Sequence, residues 1–340
     1  MNADFVTNKI FDQLSRSFEY LRISVTDRCN YRCNYCMPSD IFNKNYKYIS
    51  HSNILSYEEI IYISKLLQRI GLKKIRITGG EPLLRRNIDK LVYKLKYEAG
   101  IENISMTTNG SLLSEDKILS LKKSGLDSIT LSLDTLIPEK IKSLNGFNKH
   151  INITELLENI EKYFGMIKTN TVVIKGINDN EIMNIVERMK NMNAEIRFIE
   201  YMDVGESNDW HLSKVMPSND ILCMLKKAYD IKKINTEKSS TSKLWKILST
   251  NTRVGFISSI TEPFCHNCNR ARLSVDGKIY TCLFANEGFD IREMVRSKAN
   301  EDELIDYFTN KWKHRNDRYS ELRFFKKTDL PKVEMSYIGG

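Results

Sequence analysis

No apolar run in this 340-residue chain approaches the roughly 18–20 residues that a membrane-spanning helix needs. The stretch Met1 to Tyr20 is mixed and charged, with no apolar h-region, so no secretory signal is expected. Both absences point to a cytoplasmic protein with no membrane partner. Also missing are an RNA-binding aromatic motif, zinc-finger spacing and any long basic run, so no nucleic-acid partner is expected. No internal repeat, low-complexity tract or long linker interrupts the chain, which fits one large or two intimate domains.

What is present begins with charge. A formal net charge of +9 favours an anionic partner such as a nucleotide, a nucleic acid or a phosphorylated metabolite. A lysine-rich solvated surface would give the same value. Seven cysteines in a cytosolic chain argue against structural disulfides. Six of them fall into two tight triads. Cys223 stands alone on an apolar helical stretch and reads as buried core.

From Leu21 to Met202 short strands alternate with amphipathic helices. Strands are expected over Leu21–Thr26, Ile75–Thr78, Ile104–Thr108, Ser128–Asp134, Asn170–Ile174 and Ile196–Tyr201. Helical patterns lie between them, which implies a parallel sheet. Side chains alternate faces along a strand. Leu21, Ile23 and Val25 therefore share one face, and Arg22, Ser24 and Thr26 the other. Ile75 and Ile77 oppose Arg76 and Thr78 in the same way, and Ile104 and Met106 oppose Ser105 and Thr107. The apolar face must meet the helices, so the polar face must line something wet or liganded. Branched apolar layers would fill a closed eight-stranded barrel. The expected fold class is α/β: an incomplete (βα)6 TIM-like barrel over residues 1–205 holding a polar substrate. After Gly205 the pattern changes. Residues 206–340 read as a C-terminal α+β region closing the barrel opening, with short antiparallel strands over Leu244–Leu248, Arg253–Ile257, Ala271–Val275 and Lys278–Cys282.

Cys29, Cys33 and Cys36 form a CxxxCxxC pattern directly after the first strand. Thiolates suit iron–sulfur clusters and zinc. A tetrahedral zinc site needs a fourth ligand, but no histidine precedes His51 nearby and no fourth cysteine is close. Three thiolates on a [4Fe–4S] cube leave one iron open for a reactive molecule. The second triad, Cys265, Cys268 and Cys282, is less decisive by itself. His266 lies inside its CxxC loop as a fourth-ligand candidate, which leaves zinc and a cluster both open. Arg270-Ala271-Arg272 follows at once, and two guanidiniums beside a metal site make an anion clamp.

The first triad is the signature of the radical S-adenosylmethionine (SAM) superfamily, which the chain resembles. Gly79-Gly80-Glu81-Pro82 is similar to the motif that receives the methionine amino group of SAM. By the same resemblance Tyr35 corresponds to an aromatic position near the adenine, and Ser132 and Met202 to SAM contacts. Phe264 to Leu273 resembles the matching segment of the GTP 3′,8-cyclases. Further matches are Arg22–Cys29, Ile75–Pro82, Thr107–Gly110, Ile196–Glu200 and the terminal Tyr337–Gly340.

That resemblance implies a second [4Fe–4S] cluster on the later triad, its open iron binding the guanine of GTP. It implies GTP contacts from Arg22, Arg76, Thr107, Lys168, Arg270, Ala271 (through its backbone) and Arg272. Arg197 is expected near the reacting ribose, and Gly339-Gly340 is expected to reach into the active site. Lys168 falls at the start of its expected strand. The stretch from Val172 to Asp179 is one residue shorter before its glycine than the family form, so Lys175 is a minor alternative. The implied activity is radical cyclisation of GTP to 3′,8-cyclo-7,8-dihydro-GTP, the first step of molybdopterin biosynthesis. An external electron donor is implied, and cyclic pyranopterin monophosphate synthase as the next enzyme. The sequence itself leaves the identity of the donor and the oligomeric state open, a homodimer included.

Overall fold

In the computed structural model the described residues are 9–148, 151–323 and 331–340. Twelve strands form one open sheet in the order β12-β11-β10-β1-β2-β3-β4-β5-β6-β9-β8-β7. They are β1 (Tyr20–Ser24), β2 (Lys74–Thr78), β3 (Asn103–Thr108), β4 (Ser128–Ser132), β5 (Ile167–Val173), β6 (Ala194–Glu200), β7 (Ile231–Ile234), β8 (Lys243–Ile247), β9 (Arg253–Ile257), β10 (Arg270–Leu273), β11 (Lys278–Tyr280) and β12 (Phe289–Asp290). β1 to β6 pair in parallel, in sequence order.

The helices of the first half are α1 (Tyr57–Gln68), α2 (Ile88–Tyr97), α3 (Glu115–Lys123), α4 (Pro138–Asn145), α5 (Ile153–Phe164) and α6 (Ile182–Met189). Local chemistry sets their starts. Ser56 and Glu59 form a reciprocal capping box on α1, satisfying two orphan backbone donors, and Ser114 caps α3. The core lies where the strands' apolar face meets these helices. Leu21, Ile23, Ile75, Ile77, Ile104 and Met106 are fully buried there among Ile60, Leu91, Ile118 and Leu157. The face assignments made from strand alternation hold.

The second half departs from expectation in how its strands dock. β8 and β11 are antiparallel to their neighbours, as expected. β9 and β10 instead dock in parallel, β9 on the free edge of β6 and β10 on the free edge of β1. Eight consecutive parallel strands result, and both edges of the partial barrel are extended by the C-terminal part of the chain. Unpaired backbone groups at the two edges require partners, and these strands supply them. The remaining helices are α7 (Ser218–Ala228), α8 (Arg292–Arg296), α9 (Glu301–Lys313), α10 (Tyr319–Leu322) and α11 (Met335–Ile338). Cys223 is exposed rather than core. On α7 the buried positions are Ser218, Ile221 and Leu225, and Cys223 lies two residues from Ile221, near the opposite side of the helix.

Glu200, at the end of β6, ties the two halves together. Its buried carboxylate accepts hydrogen bonds from the Ser218, Ile260 and Thr261 amides (each 2.9 Å) and from the Thr261 hydroxyl at 2.5 Å. No described helix is long and apolar enough to cross a membrane.

Candidate active site

The polar face of the strands lines a cavity of about 460 Å³, and all six cysteines of the two triads border it. The first triad sits in the loop leaving β1. Its thiols are held by amide donors from other elements: Asn109 Nδ2 approaches Cys29 Sγ at 3.8 Å and Asn145 Nδ2 lies 3.2 Å from Cys33 Sγ. Burial pushes the Cys29 thiol up to about 11, with Glu81 adding to the effect, and pushes Cys33 and Cys36 up as well.

Gly79 and Gly80 follow β2 and pack on the backbone of this loop. A Cβ on Gly79 would lie 2.4 Å from the Thr26 carbonyl oxygen, and one on Gly80 would lie 2.3 Å from that of Arg28. The Gly80 amide donates to Thr26 O at 2.7 Å and the Glu81 amide to Arg28 O at 2.8 Å. The two glycines thus admit the cysteine loop itself, a closer constraint than approach to a ligand. The Glu81 carboxylate accepts from the Thr108 hydroxyl (2.7 Å) and the amides of Asn109 (2.8 Å) and Leu83 (3.1 Å). Burial nevertheless pushes it up to about 7. Tyr35 lines the cavity and donates to Asp134 at 2.6 Å, and Ser132 and Met202 line it as well.

The opposite part of the cavity is cationic. Arg22, Arg76, Arg197, Arg270 and Arg272 all reach it, with Thr107 beside them. Arg76 is fixed by three hydroxyls, those of Tyr20 at 2.6 Å and of Thr107 and Thr130 at 3.0 Å each. Arg22 is brought down to about 10 by burial, despite the neighbouring Tyr20, and Arg76 and Arg270 lower it further. Arg272 is lowered well below its ordinary value by burial and by Arg22. Burial would raise Tyr20, but Arg76 and Arg22 outweigh it and bring the phenol down to about 7. Such mutual repulsion marks a site short of negative charge. Arg22 Nε and Asn170 Oδ1 are buried without a hydrogen-bond partner. Unpaired buried groups of this kind are costly and fit a polar ligand placed between them.

The C-terminal tail enters the same space. Arg272 donates to the Gly339 carbonyl, Thr78 Oγ1 donates to the Gly340 carbonyl at 3.1 Å, and Gly340 lines the cavity. Arg197 is paired with Glu195 through its Nε at 2.6 Å.

Three residues sit differently from the rest. The Ala271 side chain is fully buried in the apolar core, and its backbone pairs with β1, opposite Leu21. β5 begins at Ile167, three residues earlier than expected, so Lys168 is inside the strand, opposite Thr130 and Glu195. It is half-buried and outside the cavity lining. Burial and the nearby Arg197 both lower its ammonium. Lys175 is exposed in the turn after β5 and outside the cavity lining.

The second triad lies across the cavity. The His266 side chain turns away from the cavity: it is 66% exposed and faces Glu321 at 3.6 Å. Among the described residues no three histidine, cysteine or acidic side chains converge as a single-ion site requires. Three soft thiols from two separate segments, Cys265 and Cys268 before β10 and Cys282 after β11, border one cavity, so the residues fit a multi-iron cube. Burial would raise the Cys268 thiol, but Arg270 and Arg315 outweigh it and bring it down to about 6, while Cys282 is pushed up to about 12 by burial and Asp317. Sequence reasoning missed Tyr20, Asp134, Glu195 and Arg315. Tyr20 was legible from strand parity, sharing a face with Arg22; Arg315 carried no local signal.

Comparison with known proteins agrees with this geometry. Residues 23–189 match the Radical SAM superfamily and residues 194–321 match Molybdenum Cofactor Synthesis C. The chain is 42% identical to a GTP 3′,8-cyclase of Staphylococcus epidermidis over 339 residues, covering 97% of this chain and 99% of that one. It is 43% identical to a GTP 3′,8-cyclase of Aquifex aeolicus over 334 residues, covering 97% and 100%. Among solved structures it is similar in fold to Streptococcus suis SuiB bound to precursor peptide SuiA (TM-score 0.60, 16% identity, 92% of this chain and 68% of that one). SuiB bound to S-adenosylmethionine gives a TM-score of 0.57 at 16% identity, covering 93% and 68%. With near-complete coverage by relatives of this identity, the chain belongs to the GTP 3′,8-cyclase family of radical SAM enzymes, which use SAM and [4Fe–4S] clusters.

Proposed function

We propose that this cavity holds SAM and GTP together, and that ribose C3′ and guanine C8 of one GTP are joined within it. One observation carries the reading: both cysteine triads and the arginine cluster open into the same cavity of about 460 Å³. In the reaction the C3′–H bond breaks and a C3′–C8 bond forms. One electron and one proton then complete 3′,8-cyclo-7,8-dihydro-GTP. When bound, the N-terminal cluster and SAM supply the radical that takes the C3′ hydrogen.

The chain's own residues do the positioning, which is the large catalytic contribution open to a protein whose cofactors carry the chemistry. In this proposal residues 1–205 provide the SAM half of the site. Cys29, Cys33 and Cys36 ligate the N-terminal cluster. Gly80 and Glu81 receive the methionine amino group, Tyr35 lies near the adenine, and Ser132 and Met202 complete the SAM contacts. Residues 206–340 provide the guanine end, with Cys265, Cys268 and Cys282 ligating the second cluster. Arg22, Arg76, Arg270 and Arg272 neutralise the triphosphate, with Thr107 and, at longer reach, Lys168. Ala271 contributes only backbone. Arg197, held by Glu195, orients the ribose, and Gly339-Gly340 closes the chamber against water. The electron donor is external, and the product goes on to cyclic pyranopterin monophosphate synthase in the cytoplasm.

Cys268→Ser tests the reading. The variant, purified anaerobically, is expected to lose GTP cyclisation while still cleaving SAM. Normal cyclisation by it would refute a role for the second triad.

A further inference from the structure

Behind the second triad lies a buried charged shell that the reaction above does not use. Arg315 Nη2 donates to Cys268 Sγ at 3.4 Å and to the Thr281 carbonyl at 2.9 Å, and its Nη1 donates to the Cys268 carbonyl at 2.8 Å. Arg16 donates to the Cys265 carbonyl at 3.0 Å. Two carboxylates hold the two guanidiniums. Asp12 contacts Arg16 at 2.5 Å and Arg315 at 3.7 Å, and Asp317 contacts Arg315 at 3.2 Å and Arg16 at 3.6 Å. Trp312 lies 4.6 Å from the Arg315 guanidinium, and its indole donates to the Arg16 carbonyl at 3.1 Å. The Arg315 and Asp12 side chains are 1% and 0% exposed.

A buried ion network is a poor source of stability, because desolvation offsets its attraction. Scaffolding alone could be supplied by apolar side chains. What apolar side chains could not supply is an N–H aimed at a sulfur. Two arginines and two aspartates cancel in charge over the shell, yet a cation, not a carboxylate, faces Cys268. A hydrogen bond to a ligand sulfur withdraws electron density and favours the more negative, reduced state of a cluster.

We propose that Arg315 is a positioning residue of the C-terminal cluster, its N–H bond to Cys268 Sγ raising the reduction potential while Asp12 and Asp317 fix the guanidinium. This rests on the reading that the second triad holds a cluster.

The test uses the full chain carrying Cys29→Ala, so that only the second cluster assembles. The parent and its Arg315→Met and Arg315→Lys derivatives are reconstituted anaerobically with iron and sulfide. Iron is counted, and the midpoint potential is read by EPR-monitored redox titration. The expected result is a lower midpoint in Arg315→Met and a smaller fall in Arg315→Lys, which keeps the cation but not the guanidinium fork. If Arg315→Met fails to assemble, Arg315→Lys decides alone. A parent that holds a cluster, with variants at the parent's midpoint, overturns the tuning role even if their iron content or thermal stability drops. A parent that binds no iron overturns the cluster assignment and the proposal with it.

Discussion

Replacing Gly339 by alanine isolates the contribution of the C-terminal tail. Gly339 has φ +78° and ψ +107°, a region that residues with a side chain rarely occupy. Holding alanine there costs about 1–3 kcal/mol. The new Cβ would also lie 2.4 Å from Thr78 Cγ2, and overpacking of that kind costs about 1–3 kcal/mol. The two together come to about 2–6 kcal/mol. Against this, the docked end is held mainly by the Arg272 bond to the Gly339 carbonyl and the Thr78 bond to Gly340. A hydrogen bond to a charged group contributes about 1.5–3 kcal/mol and a neutral one about 1 kcal/mol. The gain comes to about 2.5–4 kcal/mol, so the ranges overlap with the middle of the cost (about 4) above that of the gain (about 3), and the balance tips toward undocking of the last two residues. Fully buried Ile338 and the Tyr337 bond to Asp276 keep the preceding turn in place. Carboxypeptidase sensitivity and anaerobic turnover check this together. The terminus should become cleavable, and cyclisation should fall at least about 10-fold, the factor for 1.4 kcal/mol, while SAM cleavage continues. A variant that resists carboxypeptidase and cyclises GTP at the parent's rate would refute the reasoning.

Two further outcomes follow from the cavity. Arg22→Ala removes a guanidinium whose Nε has no protein partner. A charged hydrogen bond of about 1.5–3 kcal/mol is then lost, so calorimetry should give a GTP Kd about 10–150-fold higher with SAM binding unchanged. An unaltered GTP affinity would remove Arg22 from the site. Glu81 titrates near 7 in the folded chain because burial raises it from 4.5. Between those values the folded chain retains a proton that the unfolded chain has lost, so this carboxyl's contribution falls as pH rises through the window and levels above about 7. The span corresponds to about 3 kcal/mol. Urea unfolding of the cluster-free protein should show that loss between about pH 5 and pH 8 relative to Glu81→Gln. Parallel curves for the two proteins would contradict it.

Much of the site was legible because strand parity is a local rule. Arg22, Arg76 and Thr107 had to share the face opposite Leu21, Ile75 and Met106, and the structure places all three in the cavity. The cysteine loop and the glycine pair were legible as spacings. Lys168 does sit at the start of its strand, as the second residue of β5, but the mixed run Ile167-Lys168-Thr169 hid that the strand begins at Ile167 rather than Asn170. The parallel docking of β9 and β10 was not legible, since their hairpin turns fix only the antiparallel side of each strand. Arg16 and Arg315 were invisible for a different reason. Arg16 reaches Cys265 from 249 positions away, and only the parallel pairing of β10 with β1 brings the two segments side by side. Cys223 misled because a short apolar run does not reveal which side of a helix is covered.

The most direct measurement is anaerobic turnover of GTP deuterated at C3′, with SAM and dithionite. A single chamber shared by the two cysteine triads requires the label to appear in 5′-deoxyadenosine, together with a product whose C3′ is bonded to C8. Unlabelled 5′-deoxyadenosine with GTP recovered intact would mean that the two halves of the cavity never hold their ligands within reach of each other.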